Sequence, residues 1–217
     1  MIRRLIFAIG LIVVTSATAL AETQALAPDV HVGDMWRYRT VDGFTNETTL
    51  EYSHRLVEIN DREFVIQLQN KGKQGSALRF YTHDWNSLDS GDAKFEPYFP
   101  TYKFPLKVGA ELQQEYKTLM TNGQVSTGFL KTRVVAFEKV TVPAGTFDAF
   151  KEEYVTEVID ADSNATTRTG RVTIWYAPAV KNLVRRETIV LANGRVRSKE
   201  VDELVVYSLK NQPPLSR

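Results

Sequence analysis

Apolar and polar residues alternate with period two along most of this chain, and that leaves few folds open. Phe64, Ile66 and Leu68, separated by single residues, are one clear case. Successive side chains of an extended strand face opposite sides, so such a pattern buries one face of a sheet and wets the other. Runs rich in β-branched and aromatic residues recur at 34–40, 47–59, 63–69, 76–82, 111–120, 125–140, 147–159, 166–176, 183–191 and 196–209, which predicts about ten strands. Turn formers stand between them: Asn60-Asp61, Asn122-Gly123, 160–164 and Asn193-Gly194 tolerate left-handed backbone. Neighbouring strands should therefore pair as antiparallel hairpins. The expected fold is all-β: a strongly curved antiparallel sheet, half-barrel or flattened barrel, with little helix.

Cross-strand charges suggest a register for the last hairpin. A two-residue loop at Asn193-Gly194 sets Glu187 opposite Glu200, whereas a three-residue loop, Ala192 to Gly194, sets Glu187 opposite Lys199 and Arg186 opposite Glu200. The second is the expected arrangement, because it turns repulsion into attraction. A fainter pattern links Val32-Gly33, which leads into Trp36 and Tyr38, to Val108-Gly109, which leads into Tyr116. Duplication and convergence of ordinary strand chemistry both account for it.

The first 21 residues read as an export leader. Arg3 and Arg4 supply a charged start, Leu5 to Val14 an apolar stretch, and Ala19-Leu20-Ala21 a small-x-small cleavage site. Two segments follow: a leader at 1–21 and a single β-rich domain at 22–217. The expected location is periplasmic or secreted, in a bacterium. No other segment approaches the roughly 18 apolar residues of a membrane helix. Losing Arg3 and Arg4 takes the formal charge from +1 to −1, so nothing favours nucleic acid.

The chain has no cysteine. Disulfides, thiolate metal sites, thiol nucleophiles and lipid attachment at a cysteine are all excluded. His31, His54 and His83 are too scattered for a local metal motif, and 160–164 begins like a calcium loop but lacks its glycine and its bidentate glutamate. No metal and no cofactor is expected. Hydrolase motifs such as G-x-S-x-G, S-x-x-K and H-E-x-x-H are missing, which leaves Glu152 with Glu157 as a bare acid–base candidate on a strand.

The most unusual stretch is Phe95 to Phe104, with five aromatics in ten residues and prolines at 97, 100 and, just beyond, 105. The prolines deny ladder hydrogen bonds, so the segment reads as a loop or sheet edge. Its rings either plug the open end of the curved sheet or line the rim of a ligand site. Trp85, Phe95, Tyr98, Phe99 and Tyr102 are the candidate ligand-binding residues.

Val142-Pro143-Ala144-Gly145-Thr146-Phe147-Asp148-Ala149-Phe150, followed by Trp175-Tyr176-Ala177-Pro178 and Val184-Arg185, resembles a signature of exported bacterial domains of unknown function. The resemblance covers roughly Gly109 to Tyr207. It implies a large curved antiparallel sheet, broadly similar to the half-barrels of periplasmic lipoprotein carriers, and carries over no catalytic residue. Three functions follow: a non-enzymatic binder of a lipid or other apolar or amphipathic envelope ligand, an interaction module that docks an envelope protein through the aromatic loop or a strand edge, or a hydrolase with an unrecognised site. The sequence leaves oligomeric state open.

Overall fold

The structure, a computed structural model, describes residues 23–159 and 166–210. The leader and the 160–164 turn lie outside the described residues. Every regular element described is a strand. The elements are β1 (Gln24–Ala25), β2 (Met35–Asp42), β3 (Thr48–Ile59), β4 (Phe64–Asn70), β5 (Ala77–Tyr81), β6 (Ser87–Asp89) and β7 (Ala93–Phe99). They continue with β8 (Leu106–Lys107), β9 (Glu111–Met120), β10 (Val125–Val142), β11 (Gly145–Ile159), β12 (Thr166–Ala177), β13 (Asn182–Ala192) and β14 (Arg195–Ser208). Twelve of these close an antiparallel barrel in the order β10-β11-β12-β13-β14-β2-β3-β4-β5-β6-β7-β9, and β1 pairs with β8 as a separate two-stranded patch. Closure leaves the barrel no open edge, which answers the aggregation hazard of a chain so rich in strands.

Between the bulges, the even-numbered side chains of 36–40 in β2, 50–56 in β3, 112–120 in β9, 150–156 in β11, 172–176 in β12 and 198–204 in β14 point inward, as do Phe64 and Ile66 of β4. Trp36, Tyr38, Leu56, Ile66, Phe150, Ile174 and Leu204 are all buried on that face. Leu130, Thr132 and Val134 of β10 join them until a bulge between Val134 and Ala136 shifts the parity, after which Phe137 faces Phe150. Two glycines mark where the pattern would collide with an aromatic or polar neighbour. A Cβ on Gly128 would lie 2.4 Å from the Tyr116 ring, and one on Gly170 would lie 2.5 Å from Thr156 Oγ1.

The two Val-Gly turns adopt the same local structure. Gly33 and Gly109 both take positive φ, 96° and 88°. Gly33 N donates to Leu56 O while Leu56 N donates to Asp34 O, and Gly109 N donates to Val134 O while Val134 N donates to Ala110 O. Each turn thus clips the start of a strand onto the middle of the next.

Two expectations need correcting. The last hairpin has a two-residue turn, Ala192 facing Arg195, with Asn193 and Asn193's neighbour Gly194 at φ 51° and 70°. A bulge beyond it, where Arg197 is the extra residue, moves Glu187 opposite Val201 and Arg186 opposite Asp202. Charge matching was the right criterion, but the partner is an aspartate two places further on. Second, within the proline-rich segment, 100–105 is loop, as expected, but Phe95–Phe99 is strand, unpaired toward β9 only from Pro97 on. It belongs to β7, inside the closed barrel between β6 and β9. Its ladder with β9 ends at Glu96, immediately before Pro97, whose missing N–H limits the pairing without abolishing the strand.

Candidate functional site

The two ends of the barrel differ. One is closed by a plug of rings. Trp36 Nε1 donates to Val180 O (2.9 Å), Trp85 Nε1 donates to Lys181 O (3.0 Å), and the two indoles meet edge to face at 5.6 Å. The segment 100–105 crosses this end. Asn86 holds it by accepting from Thr101 N and Tyr102 N (both 2.7 Å) and donating to Tyr102 O (2.9 Å). Tyr102 then packs on Tyr176 and Phe104, at ring separations of 5.6 and 6.0 Å.

The five sequence candidates do not meet at one mouth. Trp85 and Tyr102 are buried in the plug. Phe95 and Phe99 are half-buried on the inner wall against Tyr116, and Phe99 also reaches Tyr154 at 6.1 Å. Tyr98 takes the opposite face of β7. Glu152 and Glu157, an odd number of residues apart on β11, point to opposite faces and cannot work as one acid–base pair.

Toward the other end the interior opens. Val134, Glu152, Ile174, Arg186, Asp202, Thr40 and Leu50 occupy one continuous ladder row across β10, β11, β12, β13, β14, β2 and β3, all facing inward. Arg186 nevertheless keeps 41% of its side-chain surface. Leu50 in the same row keeps 37% of its surface, and the inward Met120 keeps 39%. An inward side chain that remains this accessible must border a hollow, so the barrel contains a lumen at the level of Arg186.

The lumen has a polar floor. Arg186 Nε and Nη2 both donate to Asp202 Oδ2, and Asp202 Oδ1 accepts from Thr40 Oγ1 at 2.6 Å. This clamp holds the guanidinium fixed while its Nη1 stays outside those bonds. The Tyr52 and Tyr154 hydroxyls flank the guanidinium, and the Asp202 carboxylate, together with these hydroxyls, holds Arg186 protonated well above the usual arginine range. Burial pushes the Tyr154 hydroxyl up to about 12, so it stays a neutral donor. His54 packs against the stacked rings of Tyr38 and Tyr52, at 5.8 and 5.3 Å, and burial, with Arg186 adding to it, pulls it down to about 4. Glu152, 3% exposed, is pushed up to about 8 by burial. At neutral pH His54 and Glu152 are therefore uncharged. The charges of Arg186 and Arg79 both lower His54, and the Asp202 charge opposes them. At the rim, Asp42 and Glu200 share the next ladder row, but the Asp42 carboxylate caps its own turn by accepting from Phe44 N and Thr45 N.

A second concavity of about 790 Å³ lies on the outer faces of β10–β13, lined by Phe129, Lys131, Val155, Arg171, Glu187 and Ile189 among others. Much of its charge is already paired: Glu111 sits 3.3 Å from Lys131, and Glu187 sits 2.7 Å from Arg185.

Sequence reasoning missed Arg186, and it named Glu152 only as half of an acid–base pair with Glu157. The parity of Phe150, Glu152 and Tyr154 pointed to an inward glutamate, because two rings flank it at spacing two. Arg186 had no such flag, since both faces of β13 carry apolar residues.

No curated protein matches this chain by sequence. Two solved structures share its fold. One is a candidate lipoprotein from Parabacteroides distasonis, 16% identical, covering 86% of this chain and 100% of its own, with a TM-score of 0.52. The other is a candidate exported protein with YmcC-like fold from Bacteroides fragilis, also 16% identical, covering 85% of this chain and 99% of its own, with a TM-score of 0.51. Residues 97–201 match the family model described as DUF3108-like, a stretch that contains the whole Val142–Phe150 and Trp175–Pro178 signature.

Proposed function

We propose that this protein is exported to the bacterial envelope and there binds an anionic amphipathic molecule within the barrel lumen, without catalysing a reaction on it. The carrying observation is Arg186, which faces inward yet keeps 41% of its side-chain surface. A guanidinium fixed by a carboxylate on one side and open on the other is a preformed anion site. The surrounding hydroxyls add donors. Apolar wall follows toward the mouth, where Leu50 and Met120 face inward and remain accessible. This gradient suits a ligand that enters head first and leaves its apolar part against the outer wall. The leader at 1–21 supports the location, and the descriptions of the two similar folds as a candidate lipoprotein and a candidate exported protein agree with it.

Titration of the mature protein with lysophosphatidylglycerol, followed by tyrosine and tryptophan fluorescence, tests this. The expected result is saturable binding that Arg186→Met weakens about tenfold or more, the scale of a lost hydrogen bond to a charged group. Equal affinity in the two proteins would remove Arg186 from the site. The outer groove supports a second reading, docking of an envelope protein, because Phe129 is 61% exposed there beside charged side chains. Under that reading the lumen variant leaves binding untouched and Phe129→Ser abolishes capture of the partner.

A further inference from the structure

Two buried polar atoms close to the lumen floor have no hydrogen-bond partner: Glu152 Oε2 and the Tyr102 hydroxyl. Glu152 stands in the same ladder row as Arg186, with only Ile174 between them. Strands lie about 4.8 Å apart, so the two Cα positions are about 10 Å apart and both side chains point into the same interior. Tyr154, two residues along β11 from Glu152 and facing the same interior, senses both the Arg186 and the Glu152 charge. Tyr102 senses Glu152 more strongly than it does any other charged or ionisable neighbour. Leaving a buried carboxyl oxygen and a buried hydroxyl unpaired costs about 1–3 kcal/mol each. A protein that kept both only for packing would do better with Gln and Phe.

We propose that Glu152 and Tyr102 form an inner subsite that takes the ammonium group of a zwitterionic head group whose phosphate Arg186 holds. This rests on the lumen reading above and narrows its ligand class. The spacing fits: both side chains rise from one wall into the interior, and the roughly 10 Å between their backbones matches a phosphate and an ammonium joined by a short linker and contacted from either end. A primary ammonium offers three donors, enough for the Glu152 carboxylate and the Tyr102 oxygen together.

The groups that face Glu152 are Tyr154 on its own strand, Tyr102 from the 100–105 segment, Tyr176 beyond Tyr102 on β12, and Arg186 on β13. Its direct ladder neighbours, Val134 and Ile174, are apolar. Desolvation alone sets its raised ionisation, to about 8. At pH 7 the empty subsite is therefore a neutral carboxylic acid. An incoming ammonium keeps its three protons, the Glu152 O–H bond breaks, and that proton leaves to solvent, so binding a zwitterion releases about one proton.

Isothermal titration of the mature protein at pH 7, in buffers of differing ionisation enthalpy, tests this with lysophosphatidylethanolamine and lysophosphatidylglycerol of the same acyl chain. The expected outcome is close to one proton released per bound ethanolamine lipid and none per glycerol lipid. Glu152→Gln should abolish the release and weaken the ethanolamine lipid about tenfold or more, while leaving the glycerol lipid unchanged. Tyr102→Phe should weaken the ethanolamine lipid alone, by a smaller factor. If both lipids bind equally with no proton released, the ammonium subsite is wrong and the anion-binding lumen stands. If neither binds, both fall.

Discussion

The closed end of this barrel and its open half are built from the same kinds of residue and do opposite things with them. At the closed end the rings are locked in place: the indole N–H groups of Trp36 and Trp85 reach the backbone carbonyls of Val180 and Lys181, and Asn86 ties down the crossing segment with three hydrogen bonds, leaving the Tyr102 hydroxyl as the exception without a partner. In the open half Tyr52 and Tyr154 also face inward, yet they act on a guanidinium that is still accessible. Aromatic content therefore does not distinguish a plug from a binding wall. What distinguishes them is how much accessible surface the inward side chains keep: Trp36 keeps none, and Arg186 keeps 41%.

The sharpest way to break this comparison is to remove one ring from each region. Trp36 is 0% exposed, and Trp36→Ala should cost about 3–5 kcal/mol in urea unfolding, because it opens a large cavity and strands the Val180 carbonyl. Tyr52→Phe should cost about 1 kcal/mol, since the ring stays and only the hydroxyl's hydrogen bond to Asp202 is lost. Similar losses from the two would mean that the open half is packed like the plug.

A step smaller is Asp202→Asn. The aspartate is buried and anchors both Arg186 and Thr40, but Arg186 is partly in solvent, so the loss should be discounted to about 1–3 kcal/mol. The same change frees the guanidinium from its competitor and should tighten lysophosphatidylglycerol several-fold. A variant that is less stable yet binds better separates the two halves of the molecule cleanly; one that loses both would make the clamp part of the core.

Ionisation gives a third contrast. Glu152 has a folded-state value raised to about 8, so the native state holds a proton that the unfolded chain has released, and stability falls as pH rises between the two values. His54 is lowered to about 4, so its contribution runs the other way and is lost as pH falls from about 6.5 toward 4. The two oppose each other at acid pH. From pH 6.5 to 8 Glu152 acts without that opposition, and the unfolding free energy should drop by about 2 kcal/mol, at about 1.4 kcal/mol per pH unit. Glu152→Gln should flatten that stretch of the profile. A profile unchanged by the substitution would mean the carboxyl is ionised in the native barrel.

These contrasts were unevenly legible in the sequence. Period-two hydropathy located the ten long strands to within a few residues, because each has one buried face. It missed β1, β6 and β8, which have two or three residues each and too little length to show a period, and it discarded β7 because of Pro97. The aromatic segment was recognised as unusual, but parity alone could not assign Tyr102 to the plug and Phe99 to the wall. The clamp was hidden for a different reason. Pairing Arg186 with Asp202 depends on the single extra residue Arg197, and a bulge leaves no mark in hydropathy.

The smallest expected effect bears on where the ligand sits. Phe129 is an exposed ring on the outer groove, facing away from Arg186 across the sheet. Phe129→Ser should change stability by no more than about 0.5 kcal/mol, as exposed substitutions usually do, and should leave lysophosphatidylglycerol affinity within error of the parent. The sheet between the two faces is the reason: an inward anion site and an outward ring share strands but no surface. A clear loss of lipid affinity in this variant would transfer the binding site to the outer groove. It would also reduce Arg186 to a structural ion pair that happens to line a water-filled space.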